Sequence, residues 1–354
     1  MKERKTDLTG GLVCPVPITN YDKIVMAHGG GGTLSHQLIQ KMFLPEFDNE
    51  LLQAEQDGAV YEVGGIRFAF STDSYVVKPI FFPGGDIGEL AVYGTVNDLA
   101  VCGADPQFLS AGFIIEEGFS MEELWKIVQS MKKAADRAGI KIVTGDTKVV
   151  DHGSGDKIFI NTSGVGKIRD RVNLSWERIE TGDKIILNGK IAEHGIAILS
   201  VREEFQFETD IRSDSAPLND LIGKLLDVCP DVHMMRDPTR GGISSALNEI
   251  AMKSGMGIRL EESRIPVGEG INAICEILGL DPLYIANEGK VLVFTSAADA
   301  PGVLEAMKKH PLGQDSVIIG EVVADHPGRV VMKTLIGSNR VVDMLSGEQL
   351  PRIC

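Results

Sequence analysis

The stretch Val96-Asn97-Asp98-Leu99-Ala100-Val101-Cys102-Gly103-Ala104-Asp105-Pro106 joins two segments of different periodicity, and its reading decides the fold. Upstream, residues 86–99 read as a helix; downstream, residues 108–115 read as a strand. Farther upstream, 60–63 and 67–71 form a hairpin turning at Gly64-Gly65. Farther downstream, 121–138 repeats apolar residues at Leu124, Ile127 or Val128, Met131 and Ala135, with Ser120 as its cap and Glu123 placed to complete a capping box. Strands at 141–144 and 158–165 complete a mixed sheet with helices on one face, an α+β domain.

A second α+β unit begins after Arg169-Asp170-Arg171. Its strands are read at 184–187, 232–235, 257–260 and 290–295, and 317–323 is expected to pair with 329–333. Its helices are read at 192–200, 218–228, 271–278 and 301–309. Ahead of the first sheet, 23–27 reads as a short strand, and His28-Gly29-Gly30-Gly31-Gly32-Thr33 opens a helix through Leu34, Leu38, Ile39 and Met42. The expected organisation is a leader 1–22 without assigned role, an N-terminal domain 23–168 whose first part, 23–50, carries the glycine run, a C-terminal domain 169–345, and a mobile tail 346–354.

Composition narrows the function. The chain has 354 residues, enough for two cores, and a net charge of −15 that repels nucleic acid and anionic membrane. No apolar run approaches the roughly 20 residues that cross a bilayer, and residues 1–10 are polar, so a cytoplasmic protein is expected. Five scattered cysteines without a CxxC pair fit a reducing compartment rather than a disulfide framework or a zinc site. Cys102, Cys229 and Cys275 stand among apolar neighbours as small core residues. Cys354 ends the chain in Pro351-Arg352-Ile353-Cys354: either an incidental frayed end, or a thiol that can leave one site and enter another.

The acidic residues carry the chemistry. Asp57, Asp73, Asp98 and Asp146 each fall beside the end of an apolar segment. Singly, each reads as a turn or cap aspartate. Converging, they would repel one another unless a hard cation joined them, and Mg²⁺ prefers such oxygens together with water and phosphate. The glycine run offers bare N–H groups to an anion or is a flexible linker; it lacks the Gly-Lys-Ser/Thr ending of a Walker loop.

Taken in order, the glycine-rich start, Gln56-Asp57-Gly58-Ala59, Ser71-Thr72-Asp73, Asn97 to Pro106, Thr144-Gly145-Asp146-Thr147-Lys148 and Arg236-Asp237-Pro238-Thr239-Arg240-Gly241-Gly242 resemble the PurM-like ATP-using superfamily, which includes aminoimidazole ribonucleotide synthetase, selenophosphate synthetase and thiamine-monophosphate kinase. Within it, His28 to Gly32, Asn287-Glu288-Gly289-Lys290 and the terminal Pro-Arg-Ile-Cys are similar to the HypE family of hydrogenase maturation proteins. The resemblance implies a two-domain PurM-like fold that dimerises through its N-terminal sheet and binds ATP between domains. It implies that Cys354 receives a carbamoyl group from the partner HypF, that ATP drives dehydration of the thiocarboxamide to a thiocyanate, and that the cyano group passes to iron on the HypC–HypD complex for [NiFe] hydrogenase. By position, Asp57, Asp73, Asp98 and Asp237 match the Mg²⁺-nucleotide carboxylates, with Asp146 a further nucleotide contact. Lys148 and Glu288 match the proton-handling pair, and Asn97 with Gly29, Gly30, Gly31 and Gly32 the phosphate-positioning groups. Arg236 and Arg240 either steady phosphate or the tail, or form ion pairs. The competing functions are a small-molecule kinase or synthetase of the same superfamily, which has no need of Cys354, and a carrier of a modified thiol without catalysis.

Overall fold

A computed structural model describes residues 21–202 and 210–346; the expectations for most of the leader and for Cys354 fall outside the described residues. The first sheet has five strands, β1 (Ala59–Val63), β2 (Ile66–Tyr75), β3 (Ala104–Glu116), β4 (Lys141–Val150) and β5 (Ile158–Ile168), in the order β1-β2-β5-β3-β4. All neighbours are antiparallel except β3 and β4. The β1–β2 hairpin turns at Gly64 and Gly65, whose φ of 61° and 80° is the left-handed pair that a two-residue hairpin turn requires.

One face of this sheet is covered by helices α2 (Ile87–Val101) and α3 (Met121–Ala138), which come later in the chain than the short helix α1 (Thr33–Leu38). Asp86 caps α2 by accepting the N–H groups of Gly88 and Glu89, and Ser120 caps α3 by accepting that of Glu123. α2 is buried on nearly every side, because it lies between this sheet and the second half of the chain. Ile87, Leu90, Val96 and Leu99 are wholly buried, each contributing about 1.5–3 kcal/mol. Gly94 lets Tyr75 close in: a Cβ there would sit 2.1 Å from the Tyr75 hydroxyl. The sheet's other face carries the exposed Phe70, Phe108 and Ile114, and Phe70 and Phe108 both register with Val165 between them.

The second sheet has seven strands, β6 (Lys184–Leu187), β7 (Met234–Arg236), β8 (Gly257–Glu261), β9 (Leu292–Thr295), β10 (Val317–Val323), β11 (Val330–Lys333) and β12 (Asn339–Val342), in the order β12-β11-β8-β10-β6-β9-β7. Helices Glu193–Ser200, Asn219–Val228, Gly242–Ser254, Glu269–Leu278 and Ala300–Lys308 accompany it. Three expectations are corrected. Residues 317–323 do not pair with 329–333: β8 lies between them, antiparallel to β10 and parallel to β11. The connecting loop crosses the start of β8 so closely that a Cβ on Gly257 would meet the Asp325 carbonyl at 1.8 Å. Residues 23–27 form no strand; Met26–Gly29 is a 3₁₀ turn. The strands read as ending near Ser71 and Thr144 continue to Tyr75 and Val150, so Asp73 and Asp146 lie within strands. Among the described residues no helix is long and apolar enough to cross a membrane.

Candidate active site

Between the two sheets lies a cavity of about 530 Å³. Its floor is a carboxylate cluster: Asp57 just before β1, Asp98 on α2 and Asp237 just after β7 bring one oxygen each to within 4.8 Å of one another. The cluster thus draws on both halves of the chain. Burial pushes all three carboxyls up, and each feels at least one acidic neighbour; Asp237 reaches about 6 against the partial relief given by Arg236. The Ser71 hydroxyl reaches Asp98 at 2.7 Å and the Asp57 carbonyl at 3.0 Å. Arg236 donates from Nε to Asp57 at 2.9 Å and from its terminal nitrogen to Glu249 at 2.7 Å, with its guanidinium over the Trp176 ring. Of the two roles open for Arg236, the ion pair is the one observed. Oδ2 of Asp237 is buried and has no hydrogen-bond partner among the described residues. Three convergent carboxylates, one oxygen unpaired, are the donor set that a hard divalent cation takes.

Glu288 lines the same cavity, 4% exposed, with its buried Oε1 also unpaired among the described residues. Burial, and then Asp214, Asp237 and Asp73, hold its carboxyl well above the usual range, Arg240 working against them. Its backbone is fixed from three sides. Asp214 accepts the N–H groups of Glu288 and Gly289 at 3.2 and 3.3 Å, the Glu288 carbonyl accepts from Asn97, and Lys290 pairs with Asp214 and Glu193. Asp73 also lines the cavity, with Arg240 4.0 Å away, but stands outside the three-carboxylate cluster. Gly29, Gly31 and Gly32 line the cavity with His28, while Gly30 does not.

Two expectations are corrected by this geometry. Asn97 does not reach the cavity: its amide donates to the carbonyls of Ala216 and Glu288 and accepts the N–H of Leu218, so it ties α2 to the second half of the chain. Adjacent helical residues point about 100° apart, and Asp98 takes the cavity side. Asp146 and Lys148 are not brought to Glu288 within one chain. They pair with each other at 2.8 Å on β4, both largely exposed, beside a shallow pocket of the first sheet with Ser74 and Asn161. Ser71, Glu249 and Asp214 were missed. Ser71 lies two residues before Asp73 in Ser71-Thr72-Asp73 and is legible there; Glu249 and Asp214 carry no local signal.

Residues 55–168 match the AIR synthase related protein, N-terminal domain, and residues 180–333 the AIR synthase related protein, C-terminal domain. The carbamoyl dehydratase HypE of Cupriavidus necator is 53% identical over 333 residues, covering 94% of this chain and 95% of that protein. Among solved structures, HypE in a HypE–HypF complex superposes with a TM-score of 0.83 at 50% identity, covering 87% of this chain and 99% of that one. HypE in complex with ATP gives 0.79 at 47%, covering 94% and 100%. The chain belongs to the HypE family of the AIR synthase related proteins.

Proposed function

We propose that this chain is an ATP-dependent carbamoyl dehydratase that converts a thiocarboxamide on its own Cys354 to a thiocyanate, supplying cyano ligands for the iron of [NiFe] hydrogenase during maturation. The observation that carries the reading is the single cavity in which Asp57, Asp98 and Asp237 converge, with the unpaired oxygens of Asp237 and Glu288 buried beside the glycine-rich segment. An amide oxygen is a poor leaving group. Transfer of the ATP γ-phosphoryl to it makes a good one; the C–O bond then breaks, phosphate departs, and the nitrogen loses two protons to leave a nitrile on sulfur. Per turnover, ATP becomes ADP and phosphate, and the adduct loses the elements of water.

Asp57, Asp98 and Asp237 would hold Mg²⁺, which when bound neutralises the triphosphate and the cluster together. Asp73, Gly29, Gly31 and Gly32 line the space for the phosphates. Glu288, whose carboxyl burial and then Asp214 hold above the ordinary range, accepts a proton from the carboxamide nitrogen in its ionised form. Lys148 meets that chemistry only if a second copy covers the exposed face of the first sheet. Phe70, Phe108 and Ile114 make that face apolar, so the reading includes a homodimer. A HypF-type protein supplies the carbamoyl group and a HypC–HypD-type complex takes the cyano group, in the cytoplasm.

The test is the intact mass of the C-terminal peptide after incubation with the carbamoylating partner, carbamoyl phosphate, Mg²⁺ and ATP or a non-hydrolysable analogue. A carbamoyl adduct on Cys354 that loses one water with ATP alone is expected, and Cys354→Ala should abolish both steps. Steady ATP consumption beside an unmodified Cys354 would turn the assignment to a small-molecule kinase; an adduct that never dehydrates would leave a carrier. Separately, Phe108→Asp should shift the protein from dimer to monomer by light scattering; an unchanged mass would remove the sheet from the dimer.

A further inference from the structure

In Asn287-Glu288-Gly289-Lys290 three residues are devoted to holding the fourth. Gly289 packs so closely that a Cβ there would stand 1.9 Å from the Asp214 carbonyl oxygen. Lys290 pairs with Asp214 and Glu193, each at 3.3 Å. Asn287 is 1% exposed and commits its whole amide to hydrogen bonds. Its Nδ2 donates to the Pro238 carbonyl at 2.9 Å and to the Ile285 carbonyl at 3.2 Å, and its Oδ1 accepts the Ala192 N–H at 2.8 Å. Its backbone N–H also donates to the Pro238 carbonyl, at 3.3 Å.

Two of these partners lie far from Asn287 in the chain. Pro238 directly follows Asp237, the carboxylate that the second half of the chain contributes to the cluster. Ala192 precedes the helix Glu193–Ser200 at φ +70°, a conformation that a non-glycine residue keeps only where its neighbours hold it. The same helix start is held twice more, by the Ala286 carbonyl accepting the Gly195 N–H at 3.2 Å and by Lys290 on Glu193.

An oxygen facing one N–H and a nitrogen facing two carbonyls fix the way the amide lies. Aspartate would turn an oxygen on both carbonyls, and an apolar side chain would leave all three buried groups without this partner. Glu288 and Asp237 are the complement of this arrangement: each carries a buried carboxylate oxygen with no hydrogen-bond partner among the described residues, and both line the cavity. Two open oxygens thus hang from backbone segments that one buried amide joins.

We propose that Asn287 is a positioning residue: by bonding the Pro238 carbonyl from the residue next to Glu288, it fixes the distance between a cation held at Asp57, Asp98 and Asp237 and the proton acceptor. Asn287 touches neither cation nor substrate. This rests on reading Asp237 as a cation ligand and Glu288 as the acceptor.

The lesion is Asn287→Ser, which takes the amide hydrogens away from Pro238 and Ile285. Titration of Mg²⁺ into the full-length protein in the presence of a non-hydrolysable ATP analogue, followed by calorimetry, should show binding about 10–100-fold weaker than native in a variant that still melts cooperatively. Dehydration of carbamoylated Cys354 at saturating Mg-ATP should fall by a similar factor. A merely structural loss would act independently of Glu288, so the deciding comparison is a double-mutant cycle. Asn287→Ser combined with Glu288→Gln should dehydrate within about twofold of Glu288→Gln alone, because aiming a group that no longer accepts a proton has no further effect. Asn287→Asp keeps the volume and the acceptor for Ala192 while giving up at least one donor, and it replaces the serine variant if that one does not fold. Native Mg²⁺ affinity in the folded variant, or losses that multiply in the double variant, overturns the role. Weakened Mg²⁺ binding beside a native protein that never dehydrates the adduct supports the tie between the two segments while refuting the proposed reaction.

Discussion

Replacing Asp237 by asparagine is expected to raise the melting temperature of the ligand-free protein at pH 7.5 while eliminating ATP turnover. Asp237 shares a buried site with Asp57 and Asp98, and its carboxyl sits near 6 in the folded chain against the ordinary 3.8. The folded state therefore takes up a proton on this group between about pH 4 and pH 6, so its contribution to stability is full below about 4 and is lost as pH rises through 6. Asparagine has no such slope. Its amide can donate to the neighbouring carboxylates, so the variant should gain on the order of 2–3 kcal/mol above pH 6 and nothing below pH 4. Mg²⁺ with ATP should reverse the order: the native protein gains stability by mass action and the variant does not. Thermal melts at pH 4, 5.5 and 7.5, with and without Mg-ATP, check this; a variant less stable at pH 7.5 than at pH 4 relative to native would show that the cluster is not electrostatically frustrated.

The second large effect falls on Glu288→Gln. The substitution keeps shape and removes the proton acceptor, so nucleotide affinity should change little while dehydration of the carbamoylated Cys354 falls by about 10²–10⁴. The carbamoyl adduct should accumulate and be visible by intact mass. The acid limb of the native rate profile should lie above the ordinary carboxylate range, because burial and then Asp214 raise Glu288. Asp214→Asn removes the second cause, so its acid limb should move to lower pH. A Glu288→Gln variant that dehydrates at the native rate would remove Glu288 from the chemistry, and a limb unmoved by Asp214→Asn would leave its position to burial alone.

Much of the architecture was legible because buried elements write their period into the sequence. Residues 121–138 and 184–187 were bounded as observed, and Gly64-Gly65 marked its hairpin. Strand β4 was cut short because it is exposed from Lys141 to Val149: without a buried face its residues need not alternate, and the pattern fades before Asp146. The 317–333 pairing failed for a different reason. A short link between two strands reads as a hairpin, and only Gly257, which allows the loop to cross β8, records the intervening strand.

At the site, the ordered motifs pointed to the aspartates, and three of the four metal candidates converge. Sequence proximity misled where helical geometry intervened: Asn97 and Asp98 are neighbours, yet Asp98 faces the cavity and Asn97 does not. Glu249 and Asp214 support the site from afar in the chain, and no local pattern distinguishes such residues from surface acids.

That split between Asn97 and Asp98 has a mechanical consequence. The three bonds of Asn97 reach Ala216, Leu218 and Glu288, while Asp98 meets Asp237 one residue along the same helix. Any rotation of the second sheet away from α2 that breaks the first set also pulls Asp237 from Asp57 and Asp98. A cation held by the three carboxylates would make its binding and the closing of the two halves one coordinate, so that its release and the opening of the molecule would be a single event.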